Sequence, residues 1–192
     1  MVVTLSLPFD GRWLAMNSPA RRVPSHGVDL YGERYAIDFV AVDDRGRSSS
    51  AFDLRSVTAT EPPERFFGFG RPVLAPIAGR VVGVHDGEDD HAAHRSLPAG
   101  VRYLSGQRAR LARGMHAITG NHLILHDWRT GAYVALVHLQ RGSLEVGVGD
   151  DVAEGQPVAR CGNSGNSTQP HVHIQAMDDK DPQRAWGCRS RS

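Results

Sequence analysis

The chain has 192 residues, 40% of them hydrophobic and 22% charged, and its 22 basic and 21 acidic side chains leave a net charge of +1. That length supports one sizeable core, so residues 1–192 are taken as a single domain, with an N-terminal part (1–70), a β core (71–178) and a tail (179–192). The balanced charge excludes the electrostatic footprint of a nucleic-acid or anionic-membrane binder, and no apolar run approaches the length of a membrane span.

Two cysteines, Cys161 and Cys188, cannot build a disulfide framework; one bridge and two free thiols both remain open. The N-terminus M-V-V-T-L-S-L-P-F-D lacks a basic region followed by a long apolar one, so no signal peptide is expected. The compartment is therefore unassigned: cytoplasm, export by a signal outside this chain and export by another route all fit.

Residues 2 to 7 alternate at the strand period and stop at Pro8, and Gly11 to Met16 reads as a second short strand before the Asn17-Ser18-Pro19 turn. After a loop through Pro24, Ser25, His26 and Gly27, the run Arg34 to Val42 reads as a strand buried on both faces. Asp38 is the exception in that run. A carboxylate so placed must be paired, hydrogen-bonded or bound to a cation, because burying it bare is expensive. Residues 43–71 read as an irregular excursion over the sheet with Phe66, Phe67 and Phe69 tucked in, followed by a short strand at 73–75, a turn, and a β-run from Gly79 to His85.

Residues 86–114 read as a long surface insertion with one helical turn near 107–113, long enough to serve as a lid or a groove wall. Beyond Gly120, the apolar runs Asn121 to Asp127 and Tyr133 to Leu139, joined by Trp128-Arg129-Thr130-Gly131, form a hairpin. Tight turns and very short strands lead to Cys161, and the polar tail from Asp178 shows no recognisable element. The fold class is all-β, mainly antiparallel sheet with little helix.

The most informative stretch is C-G-N-S-G-N-S-T-Q-P-H-V-H-I-Q, residues 161 to 175. A loop dense in small polar residues runs into a strand in which His171 and His173 share one face while Val172 and Ile174 take the other. Two imidazoles converging from one strand suit a borderline-soft divalent ion such as zinc. A third ligand is needed, and Asp38, His26 and His138 are the candidates. Each has a plainer explanation: an ion pair with Arg34 for Asp38, an exposed loop position for His26, a strand end capped by a backbone carbonyl for His138.

Taken in order, A-P-I-A-G-R-V-V, N-H-L-I-L-H, Y-V-A-L-V-H-L and V-G-V-G-D-D-V-A-E-G-Q-P-V-A-R-C-G-N-S-G-N-S-T-Q-P-H-V-H-I-Q resemble the LytM/lysostaphin-type zinc metallopeptidases of family M23. The resemblance is strong over residues 72 to 177 and looser over 21 to 42. It implies an open barrel-sandwich of LytM type and a zinc metalloendopeptidase that cuts peptides of bacterial peptidoglycan, often beside Gly or small residues. It also suggests the cell envelope or secretion. Carried over by position, it implies Zn2+ held by His26, Asp38 and His173, with an open position for water, and catalytic roles for His138 and His171: one to take a proton, one to donate to the oxyanion or leaving amine.

The chain departs from the family's usual compact H-x-x-x-D at the early pair. Residue 34, four before Asp38, is Arg; His26 lies twelve residues before Asp38, and His26-Gly27-Val28-Asp29 offers a competing carboxylate. Asp38 is preferred because it lies in a buried strand. The resemblance leaves the 43–71 and 86–114 excursions as groove walls, makes Asn121 an orienting group or a strand-edge amide, and treats His85, His116, His122 and His126 as structural or surface residues. The E-D-D-H and H-A-A-H clusters are read as solvated loop.

Three rivals stand beside that reading. A catalytically inactive M23-fold binding or regulatory module would lack a ligand, yet every required residue type is present. A biotin or lipoyl carrier needs a lysine at a hairpin turn, and the only lysine, Lys180, sits in the tail. A structural zinc site would need a fourth protein ligand, for which His138 is available.

Overall fold

The computed structural model describes residues 1–106, 112 and 114–191. Among the described residues there are eleven strands: β1 (Val2–Thr4), β2 (Trp13–Ala15), β3 (Ile37–Ala41), β4 (Pro72–Leu74), β5 (Gly79–His85), β6 (Asn121–Asp127), β7 (Tyr133–Leu139), β8 (Asp151–Val152), β9 (Pro157–Arg160), β10 (Val172–Met177) and β11 (Gly187–Arg191). The helices are short: α1 (Leu54–Thr58), α2 (Leu97–Ser105) and α3 (His116–Thr119). Nine strands form one curled open sheet in the order β1-β11-β10-β7-β6-β5-β8, with β3 on the free half-edge of β10 and β2 outside β3; β4 and β9 form a separate ladder. The fold is thus all-β, as expected.

Strand β10 is the axis of the sheet. One edge pairs antiparallel with β7 from His173↔Val137 to Met177↔Tyr133. The other edge is divided: Val172 to Ile174 pair with β3, and Ala176 and Met177 pair with β11. Period-two alternation then sorts the side chains. Val172, Ile174, Ala176, Leu123, Leu125, Val134 and Leu136 face the main core, closed from the far side by Val73 of β4 and Val158 and Ala159 of β9. The other face carries His171, His173 and Gln175 together with Ile124, Ala135 and Val137, and it forms a cleft.

Two expectations need correction. The tail is not featureless: β11 runs parallel to β1 (Val2↔Arg189) and antiparallel to β10, and its Cys188 is buried. The periodicity is weak there because only one face of this short strand is covered. The 86–114 insertion contains helix α2, whose Pro98 sits in the first turn, where a missing N–H does no harm. Ser96 caps it by accepting from the Ala99 N–H at 3.3 Å. The helical turn expected at 107–113 lies outside the described residues. Cys161 and Cys188 are both free and buried, and among the described residues no helix is long and apolar enough to cross a membrane.

Candidate metal centre

The β3–β10 register places Asp38 directly opposite His173. Directly opposed residues project to the same side of a sheet with Cβ atoms about 5 Å apart, so a carboxylate and an imidazole far apart in the chain become neighbours. Asp38 Oδ1 lies 2.8 Å from His173 Nδ1, and Asp38 Oδ2 lies 2.9 Å from Nε2 of His26. Asn17 donates from Nδ2 to the same Oδ2 at 2.7 Å. One potential ligand atom from each of His26, Asp38 and His173 falls within 4.8 Å of the other two, and among the described residues this is the one group of three or more His, Cys, Asp or Glu that does so. Two nitrogens and a carboxylate oxygen match the donor preference of zinc.

The remote nitrogen of each ring has a partner of its own, which fixes the nitrogen that faces the centre. Ser25 Oγ donates to the Glu33 carbonyl at 3.1 Å and lies 3.0 Å from His26 Nδ1, so it is Nε2 of His26 that faces Asp38. On the other ring, His173 Nε2 lies 2.9 Å from Gln175 Oε1.

Burial opposes charge at Asp38 and at His173, yet the pair holds charge. Asp38 is kept well below the usual carboxylate range against its own desolvation, by the charge of His171 and by hydrogen bonds from His171, His173 and His26. His173 is desolvated too, but its hydrogen bond to Asp38 and that group's charge raise it to about 9. The metal-free site is therefore an imidazolium–carboxylate pair, and a cation would displace the imidazolium proton.

Two further imidazoles flank this group. The β6–β7 ladder slips between Asn121 and His122, so that Asn121 faces Leu139 and His122 faces Val137, and His138 is the extra residue. It adopts the left-handed backbone at φ 63. A bulge of this kind re-aims one side chain, here into the cleft: the His138 ring lies 4.7 Å from that of His171 and 5.9 Å from that of His173, centroid to centroid. His138 Nδ1 donates to the Ser164 carbonyl at 2.9 Å and His171 Nδ1 donates to the Gln169 carbonyl at 2.8 Å. Each ring thus turns Nε2 toward the centre, and His171 Nε2 is 3.5 Å from Asp38 Oδ1. Burial, reinforced by the neighbouring His171 and His173, holds His138 well below its ordinary value, so it is neutral.

The glycine-rich loop is needed to bring Ser164 this close. A Cβ on Gly165, whose φ is +70, would sit 2.3 Å from the Gly120 nitrogen and 2.6 Å from the Ile118 carbonyl oxygen. Asn121, fully buried, holds the same corner: its Nδ2 donates to the Leu139 and Glu88 carbonyls, and its Oδ1 accepts from the Gly87 and Glu88 N–H groups. It clamps the insertion to the strand end and does not touch the imidazoles.

The competing carboxylate is elsewhere. Asp29 is engaged by Arg34 on the surface, which also removes Arg34 as a partner for Asp38. The cleft encloses about 390 Å³, and its walls come from the 26–33 loop on one side and from Tyr103, Met115 and Ile118 on the other. The 43–71 excursion is not a wall; it is anchored behind the insertion by Glu61, which pairs with Arg95 at 2.9 Å. The H-A-A-H cluster is not solvated loop, since His91 is bonded to the Gly165 carbonyl at 2.9 Å and His94 stacks on Tyr103. His122 lines the cleft and stacks in a row with His85 and His116. Sequence reasoning missed Asn17, Ser25 and Gln175. Only Gln175 left a signal, as the third polar residue at alternate positions after His171 and His173.

Residues 104–185 match the model of peptidase family M23. Among solved structures, a mutant catalytic domain of the prophage-encoded M23 protein EnpA from Enterococcus faecalis is 17% identical, with 96% of this chain and 93% of that one covered and a TM-score of 0.52, which shows the shared fold. The catalytic domain of the antimicrobial peptidase lysostaphin from Staphylococcus simulans gives 18% identity over 83% of this chain and 80% of that one, with a TM-score of 0.45. A second lysostaphin structure gives 20% identity, a TM-score of 0.45 and 84% coverage of this chain, which spans only 45% of that longer chain.

Proposed function

We propose, from the match of residues 104–185 to the model of peptidase family M23, that the chain is a member of that family and a zinc-dependent endopeptidase hydrolysing peptide bonds of bacterial peptidoglycan. The observation that carries the proposal is the convergence of His26, Asp38 and His173, from three separate segments, on the floor of a cleft, with two more imidazoles beside them. In this reading His26, Asp38 and His173 hold the zinc. A zinc ion there would supply Lewis-acid polarisation of a peptide carbonyl and of a water molecule.

The chain's own groups do the rest. His138, neutral and with its Nδ1–H committed to the Ser164 carbonyl, has only the Nε2 lone pair to offer, so it accepts a proton from the attacking water. His171 is held by the Gln169 carbonyl with Nε2 beside the Asp38 carboxylate, and it donates to the developing oxyanion and then to the leaving amine. The 26–33 loop and Tyr103, Met115 and Ile118 line the cleft around that floor.

The test is to incubate the zinc-loaded protein and its His173→Ala variant with peptidoglycan-derived peptides and to read new amino termini. Cleavage by the parent alone supports the proposal. Zinc uptake with no cleavage by the parent would favour a non-catalytic module on the same fold.

A further inference from the structure

The proposed ligand His173 is followed, two residues later on the same face of β10, by Gln175, which is buried, is polar and has no part in the chemistry described above. Its side-chain amide is fully engaged. Nε2 donates to the Tyr31 carbonyl at 2.8 Å and lies 2.8 Å from Met177 Sδ, and Oε1 lies 2.9 Å from His173 Nε2. The direction of the chain of bonds follows from its far end. A backbone carbonyl cannot donate, so the amide must present its NH2 to Tyr31 and its oxygen to His173. An amide oxygen can only accept, so the proton of the contact belongs to His173 Nε2.

The loop over Gln175 is shaped for this contact. Tyr31 adopts φ 57 and Gly32 φ 75, two successive left-handed residues. A Cβ on Gly32 would meet Met177 Cγ at 2.7 Å and Gln175 Nε2 at 3.3 Å, so only glycine lets the loop lie this low. A left-handed conformation is unfavourable at a non-glycine residue. Here it aims the Tyr31 carbonyl at the amide.

The geometry points to Gln175 as a positioning residue for the metal: through the Tyr31 carbonyl it fixes His173 as the Nε2–H tautomer, ring in place, with the Nδ1 lone pair aimed at the cation beside Asp38. Loss of an outer partner of this kind lowers metal affinity by about 10- to 100-fold. The inference rests on the zinc reading above and adds a residue to it. Gln175→Leu, which keeps the bulk and removes the acceptor, weakens zinc binding by that factor in competition with a chromophoric chelator and alters the visible spectrum of the cobalt-substituted protein. Gln175→Glu keeps an acceptor oxygen for His173 but loses the donor to the Tyr31 carbonyl, so it recovers only part of the lost affinity.

A measurement on the parent guards against a variant that misfolds: long-range 1H–15N correlation in the zinc-loaded protein is expected to show His173 carrying its proton on Nε2. Equal zinc affinity in parent and Gln175→Leu, or a His173 proton on Nδ1, overturns this inference and leaves the zinc site standing. A parent that takes up no zinc overturns both.

Discussion

Asp38 and His173 face each other across the β3–β10 ladder, 2.8 Å from Oδ1 to Nδ1, although 135 residues separate them in the chain. The sheet, not the loop, sets their distance. Asp38→Asn keeps the shape and removes the charge, leaving a buried imidazole with no anionic partner. Zinc content after dialysis should fall from about one equivalent to near zero. The metal-free variant should lose about 3–5 kcal/mol of stability by urea denaturation, the cost of breaking a buried pair.

The same pair sets a pH dependence in the metal-free protein. His173 is raised from 6.5 to about 9 on folding, so its contribution is complete below pH 6.5 and is lost as pH rises through 9. Asp38 is depressed below 3.8, so its contribution is present above pH 3.8 and is lost as pH falls through its folded value. The melting temperature of metal-free parent relative to metal-free His173→Gln should therefore be highest between about pH 4 and 6.5. Zinc binding at pH 7 to 8 should release a proton, read by calorimetry in buffers of different ionisation enthalpy. A proton count of zero would contradict the assignment.

His138 combines a left-handed backbone with a role in the cleft, so its two functions separate by substitution. At φ 63 an alanine keeps the backbone penalty and a glycine relieves it. His138→Gly should melt above His138→Ala, by about 1–2 kcal/mol in unfolding free energy, while both lose peptide cleavage and both still bind zinc.

The tail strand yields a stability prediction. Cys188 of β11 is buried against the main core, and among the described residues β1 joins the sheet through β11 alone. Cys188→Asp buries an unpaired carboxylate and should destabilise the chain by more than 2 kcal/mol. Cys188→Ala should cost less, with zinc affinity unchanged in both.

Legibility followed the range of the physical cause. Period-two alternation is local, so His171 and His173 on one face, the β6–β7 hairpin and the all-β class could be read from residue order. Asp38 stood out because a carboxylate in an apolar run needs a partner, but the partner's identity depends on a strand register set by the whole sheet. His26 was one candidate among three and was chosen over His138 as a ligand only by resemblance, since nothing near it in sequence reveals that Ser25 and Glu33 fix its ring. Strand β11 was missed because Gly187, Arg189 and Ser190 give no apolar alternation around Cys188. Helix α2 was missed because Pro98 and Gly100 read as breakers, although the first helical turn tolerates proline. The His138 bulge could not be seen at all, because a register slip is a property of two strands.

The most direct test of the account is the anomalous difference map of zinc-loaded crystals on either side of the zinc absorption edge. One strong peak within about 2.0–2.2 Å of His26 Nε2, an Asp38 carboxylate oxygen and His173 Nδ1 is the predicted result. A peak centred on other residues, or none in a protein shown to cleave its peptide, would contradict it.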